Sequence, residues 1–197
     1  MYIDKAVKKQ KKQFKNFVLT MCFIFLALPI VLFLVGLNNN WFLVVYLAIT
    51  ELVILLAVFV KTNIEKLEFH CSNNKLTINQ GILNRSYKML CDKVVLVHTE
   101  GTKEEMSIIF ITTVKFRNKK IRPVGKDFLK RHPYVGEKYL KLKKLNPEIT
   151  YYYIMVKKGG LKKYLLLDTM YRNCVKAEFT EDSIENIKIS RKQKELI

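Results

Sequence analysis

The sequence predicts an α+β membrane protein: a two-helix transmembrane hairpin, then a cytoplasmic antiparallel β domain carrying an inserted basic helix and a C-terminal helix. Three observations predict it. Two long apolar runs occupy residues 17–37 and 41–60. Short alternating segments punctuated by Gly and Asn fill most of residues 61–197. The net charge is +18, from 35 Lys and Arg against 17 Asp and Glu, and the basic residues all lie outside the apolar runs.

The first run, FVLTMCFIFLALPIVLFLVGL, has no charged residue; the second, WFLVVYLAITELVILLAVFV, has only Glu51. A spanning helix needs about 20 mostly apolar residues, which both supply. Asn38-Asn39-Asn40 alone separates them, so the spans must run antiparallel. The arm at residues 1–16 carries Lys5, Lys8, Lys9, Lys11, Lys12 and Lys15 against Asp4, and Lys61 and Lys66 follow the second run. The turn between the runs is uncharged. Positive residues near span ends stay on the cytoplasmic side, so both termini are expected there and the chain is assigned to the cell membrane with two spans. A signal peptide is the rival reading of the first run. Its apolar core is too long, and no small-x-small site precedes Asn38. The arm has apolar residues at Ile3, Val7 and Phe14 and is expected to continue the first span as a helix near the headgroups.

Two residues disturb the apolar spans. Pro29 removes a backbone donor and leaves the Phe25 carbonyl without its helical partner. Glu51 is a carboxyl group within a span, a functional candidate by default. A hairpin turning at Asn39 sets Glu51 opposite Ala27, within about half a helical turn of Phe25. The expectation is a hydrogen bond from the Glu51 carboxyl group to the Phe25 carbonyl, directly or through one water, holding the hairpin together. The rival is a transporter-like or channel-like subunit that uses Glu51.

Beyond Lys61, Leu67, Phe69 and Cys71 alternate with polar residues, Ser72-Asn73-Asn74-Lys75 supplies a turn, and Leu76 and Ile78 resume the alternation. This predicts a hairpin. Gly81 interrupts, Leu83, Tyr87 and Met89 continue one face to Cys91, and Val94-Val95-Leu96-Val97 reads as a strand buried on both faces. After a solvated loop at residues 101–105, Ile108, Phe110, Val114 and Phe116 share one face of a strand ending at Arg117-Asn118-Lys119-Lys120. In residues 122–147, Phe128, Val135, Tyr139 and Leu142 recur at helical spacing. Pro133 breaks the segment, leaving residues 134–145 as the predicted helix. Residues 149–156 and 161–167 flank Lys157-Lys158-Gly159-Gly160 and read as a second hairpin. Residues 173–179 read as a last strand with Val175, Ala177 and Phe179 inward. Thr180-Glu181-Asp182 opens a closing helix carrying Ile184 and Ile187, which runs into a charged tail through Lys194 and Glu195.

The order Leu76-Thr77-Ile78, Gly81-Ile82-Leu83, Asp92-Lys93-Val94 after a transmembrane hairpin resembles the bacterial pleckstrin-homology-like membrane proteins. The likeness covers roughly residues 65–97, and Leu90-Cys91 departs from the Ile-Pro that such proteins often carry before the acid. It implies a seven-stranded bent sheet or partial barrel with a capping helix, in which residues 122–147 are an insertion. It implies little about mechanism, because that fold serves mainly as a binding platform and fold is not function.

Catalytic patterns are missing from the sequence. There is no phosphate-binding Gly loop, H-E-x-x-H or G-x-S-x-G; His70, His98 and His132 are scattered; and Glu104-Glu105 sits in a solvated loop. Cys22, Cys71, Cys91 and Cys174 form no C-x-x-C pair and are expected as thiols, three of them packed as small hydrophobes. No enzyme, cofactor or metal is expected. A basic domain held at the anionic cytoplasmic leaflet gains about 1 kcal/mol per Lys or Arg close to the surface. The reading is a non-enzymatic interaction module for a protein partner or anionic lipid, either an accessory subunit of a membrane complex or an immunity protein. A membrane tether for DNA ranks behind it, and self-association is compatible with it. The predicted contact surface is Lys138, Lys141, Lys143 and Lys144 with Tyr134 and Tyr139. Part of the basicity is compositional, because Lys, Asn and Ile are abundant together.

Overall fold

A computed structural model describes residues 2–36, 40–82, 85–115 and 121–193. The expected turn at Asn38 and Asn39, the positions of Leu83 and Phe116, the basic tip at Arg117-Asn118-Lys119-Lys120 and the tail residues Lys194 and Glu195 lie outside the described residues.

The chain opens with α1 (Ile3–Leu34) and α2 (Trp41–Glu65). Both are long and apolar enough to cross a membrane, and the apolar windows that qualify them are unburied by the rest of the chain. An exposed apolar surface of this extent marks a face that meets a membrane or another protein. Leu28, Val31, Leu32 and Val35 of α1 and Leu43, Tyr46, Leu47 and Thr50 of α2 line one groove. Two helices joined through so short a link and meeting in this register run antiparallel, as the sequence requires.

Three strands follow, β1 (Leu67–Ser72), β2 (Lys75–Gln80) and β3 (Arg85–Leu90), in an antiparallel meander. Asn73 and Asn74 have φ 48 and 61, which is the pair of left-handed residues that a two-residue hairpin turn needs and that Asn tolerates. A 3-10 turn at Cys91–Lys93 leads into a second sheet, ordered β6-β7-β5-β4-β8. Its strands are β4 (Val94–Glu100), β5 (Ser107–Thr112), β6 (Arg122–Pro123), β7 (Tyr152–Val156) and β8 (Glu178–Phe179). All pairs are antiparallel except β4–β8, which is parallel. Four helices complete the domain: α3 (Lys126–Arg131), α4 (Pro133–Leu145), α5 (Lys162–Asn173) and α6 (Glu181–Ser190).

The five-stranded sheet is buried on both faces. Ile108, Phe110, Val97, Ile154 and Val156 face a core shared with the three-stranded sheet, α5 and α6. Ile109, Ile111 and Leu96 face a second core filled by Phe128, Val135, Tyr139 and Tyr151. Each such Ile, Leu or Phe contributes about 1.5–3 kcal/mol by leaving water. The helical spacing of Phe128, Val135 and Tyr139 is thus the inward stripe of α3 and α4, and Pro133 starts α4 where its missing donor is harmless. Thr180 caps α6 by accepting from the Ser183 N–H at 3.4 Å. Cys91 and Cys174 are buried, Cys71 is half-buried, and all three are free thiols of the first core.

Four expectations fail. Residues 161–167 are not a strand but the start of α5. Lys163, Tyr164, Leu166, Leu167 and Met170 are its buried residues, and Lys163, Leu166, Leu167 and Met170 follow the i, i+3, i+4, i+7 pattern that only a window longer than seven residues reveals. Leu, Lys and Met there are helix formers, and the segment lacks Val and Ile. The last strand shrinks to Glu178–Phe179, with Val175 83% exposed, because residues from Lys162 to Asn173 are already helical. The strand through Ile108 ends at Thr112, so Val114 does not join its face. Finally, the arm does continue α1 as a helix, but its apolar stripe is not left free: Ile3 and Ala6 are core residues of the β domain.

Candidate functional site

The distinctive feature of this chain is the joint between its apolar helices and its β domain. The arm extends α1 by 14 residues ahead of the apolar run, about 20 Å of helix. Ile3, Ala6 and Gln10 recur on one stripe and are buried, whereas Lys5, Lys8, Lys9, Lys11, Lys12 and Lys15 are exposed. The Gln10 side chain donates to Glu65 Oε1 at 3.2 Å and accepts from the Leu161 N–H at 3.0 Å, so one amide ties both apolar helices to the domain. The end of α2 is held by backbone donors from elsewhere: Gly159 N–H to the Ile64 carbonyl and Gly81 N–H to the Lys66 carbonyl, both 2.8 Å. Ile82 N–H donates to Asn63 Oδ1 at 3.0 Å. A helix end leaves four carbonyls without intrahelical partners, and part of that need is met here by the loops after β2 and β7. Lys192 pairs with Asp4 at 2.7 Å.

Beside this joint lies an open groove of about 220 Å³, lined by Val7, Gln10, Lys11, Phe14, Thr62, Glu65, Lys66 and Lys162. Its walls are mostly carbon. Glu65, the acid in it, already accepts from Gln10 and lies 3.6 Å from Lys61.

The residues singled out from sequence are distributed differently. α4 covers the second core, on the face of the five-stranded sheet opposite the arm. Lys138 is paired with Glu178 at 2.8 Å and Lys141 with Glu137 at 2.9 Å. Lys143 donates to the Pro147 and Ile149 carbonyls at 2.6 and 2.8 Å and caps the ring of Tyr151. Lys144 is exposed. Tyr139 is a core residue, and Tyr134 stacks on His98 at 5.1 Å between centroids. Three of the four lysines thus have partners within the chain. Glu51 and Phe25 both lie on the half-buried stripes of α2 and α1, and α1 runs on through Pro29. Among the described residues no hydrogen bond joins Glu51 to the Phe25 carbonyl.

A second cavity, of about 490 Å³, was not foreseen. His98, Glu100, Tyr134, Asp182 and Asn186 are among its walls. His132 Nδ1 lies 2.8 Å from both Glu100 oxygens, and His98 Nδ1 lies 2.9 Å from Thr180 Oγ1. Burial lowers the His98 pKa against the opposing pull of Glu100 and Asp182. Thr180 and Ser183 look like a hydroxyl relay, yet both are committed to structure. Thr180 caps α6, and the buried Ser183 Oγ donates to the Val97 carbonyl at 3.0 Å. Neither hydroxyl is presented to the cavity as a nucleophile. Of the three scattered histidines, His98 and His132 are brought to the same carboxylate, Glu100, which no local pattern announces.

Comparison with protein-family models, curated proteins and solved structures finds no match to this chain.

Proposed function

We propose that the protein is a non-enzymatic, membrane-anchored interaction module whose basic domain is fastened at the cytoplasmic face to meet anionic lipid or a protein partner. One observation carries this reading: the β domain is not tethered by a linker but clamped to both apolar helices through Gln10, Gly159 and Gly81. A clamp of this kind holds the domain at a fixed height over the bilayer, where its charge interacts with the leaflet. Service as an accessory subunit of a membrane complex, or as an immunity protein against a membrane-active toxin, fits such a fixture. The likeness to pleckstrin-homology-like proteins belongs to the same reading. The meander β1-β2-β3 and the closing helix α6 support it; α5 and the division into sheets of three and five strands depart from it. Glu51 makes no hydrogen bond or ion pair among the described residues, so a transport relay gains no support.

Topology is the direct test. With the native cysteines replaced, a Cys at Asn39 is expected to react with an impermeant maleimide on intact cells. A Cys at the exposed Lys144 is expected to react only after permeabilisation. The reverse pattern would put the domain outside and end the cytoplasmic reading.

A further inference from the structure

The groove beside the joint has three properties that together select an occupant. The first is depth. Phe14 precedes the first apolar run by three residues and Lys11 by six, about 4 and 9 Å along a helix near the membrane normal. Thr62 and Lys66 follow the second run by two and six residues, about 3 and 9 Å. The headgroup region on one side of a bilayer is about 5–8 Å deep. The groove therefore opens at the hydrocarbon edge beside Phe14 and Thr62, and its lysines sit at the outer edge of the headgroup layer, from which their side chains reach back into it.

The second property is charge. Lys11, Lys66 and Lys162 come from three elements, α1, the end of α2 and the first turn of α5, and converge on one groove. Opposing them, Glu65 is engaged by Gln10 and Lys61, and Glu68 stands 4.0 Å from Lys66. The third is lining. Phe14, one helical turn before the first apolar run, gives the groove an apolar wall on its membrane side. A soluble anion would gain nothing from that wall, whereas the glycerol and first methylenes of a lipid would.

We propose that this groove binds one phospholipid with an anionic headgroup. Lys11, Lys66 and Lys162 hold the phosphate, and Phe14, on the membrane side of Lys11, packs on the glycerol end of the chains. The inference rests on the membrane-anchored reading above and assigns the lipid to the joint rather than to α4.

The test uses the full chain in mild detergent, with native mass spectrometry during titration of dioleoyl phosphatidylglycerol or dioleoyl phosphatidylcholine. One phosphatidylglycerol is expected to stay bound in preference to phosphatidylcholine. Lys11→Gln with Lys66→Gln and Lys162→Gln should weaken it about tenfold or more. Thr62→Trp, which fills the groove and keeps every lysine, should do the same. Lys138→Gln with Lys141→Gln and Lys144→Gln should leave it unchanged, and millimolar inorganic phosphate should not displace it. Melting temperatures in lipid-free detergent verify that each variant is folded. Equal binding by parent and groove variants overturns the site. So does loss in the α4 variant alone, retention in Thr62→Trp, which would mean diffuse attraction, or displacement by phosphate. Each of these leaves the topology result standing, so failure of the site is separable from failure of the anchored reading.

Discussion

Replacing Gly159 by Ala is expected to lower the melting temperature of the full chain in detergent by about 10 °C. Gly159 has φ 110, a conformation that side chains with a Cβ rarely adopt, which costs of order 1–3 kcal/mol. A Cβ there would also fall inside contact distance of three Leu67 side-chain carbons, the Leu67 Cγ at 2.9 Å among them. Leu67 is 2% exposed and has nowhere to go. Overpacking of this kind adds about 1–3 kcal/mol. A total near 4 kcal/mol corresponds to about 10 °C at the usual 2–4 °C per kcal/mol for a chain of this size. Because Gly159 also donates to the Ile64 carbonyl, the loss should loosen the joint and let the arm unwind, so that trypsin cleaves faster at its already exposed lysines. Gly125→Ala is the control: a Cβ there meets nothing within 4 Å, and melting should barely move. An unchanged melting temperature in Gly159→Ala would mean that this loop is not seated between the helices and β1.

The second large effect concerns Lys163, whose side chain is fully buried in the first turn of α5. Its Nζ donates to the Glu104 carbonyl at 2.7 Å and the Lys157 carbonyl at 3.0 Å. Burial pushes the amine down to about 8, with Glu104, Glu65 and Glu105 pulling it back up. Because the folded pKa lies below the unfolded 10.5, the unfolded chain holds more protons between about pH 8 and 10.5. Stability therefore rises with pH across that window. The penalty relieved is roughly 3 kcal/mol. A neutral amine keeps two N–H groups, enough for both carbonyls. Lys163→Met removes the pH dependence but leaves the two carbonyls without a donor, costing about 1–3 kcal/mol. The variant should thus stand near the parent in stability at pH 7 and fall well below it at pH 10. Tyr139 and Tyr164, raised by burial, act in the opposite sense at high pH but equally in both chains. Parallel curves for parent and variant from pH 7 to 10 would sink this account.

The joint was only partly legible beforehand. Gly159-Gly160 stood out as a turn, but as the turn of a hairpin. In the structure a Cβ on Gly160 would collide with the Gln10 side chain, so the pair is small because the arm passes over it. Gln10 itself looked like one more polar residue of a Lys- and Gln-rich arm. Its spacing from Ile3 and Ala6 is a signal that a helical reading of the arm contains, since the three complete one stripe. The α4 lysines were conspicuous in number, yet number does not reveal that Glu178, Glu137 and two carbonyls already engage three of them.

By itself the sequence determined what depends on neighbours along the chain. Two long apolar runs set α1 and α2, two adjacent Asn residues set the β1–β2 turn, Pro133 set the start of α4, and Thr180 with its acids set α6. Each follows from hydrophobic length, backbone φ or a local cap, all of which act within a few residues. Tertiary structure alone decided that LKKYLLL is helical, that the arm is core, and that Lys11, Lys66 and Lys162 share one groove. Those outcomes depend on apolar faces finding one another across more than a hundred residues. Burial of the α5 stripe against β1 and β5 outweighs a seven-residue alternation, because sustained burial contributes several kcal/mol and local strand preference about one.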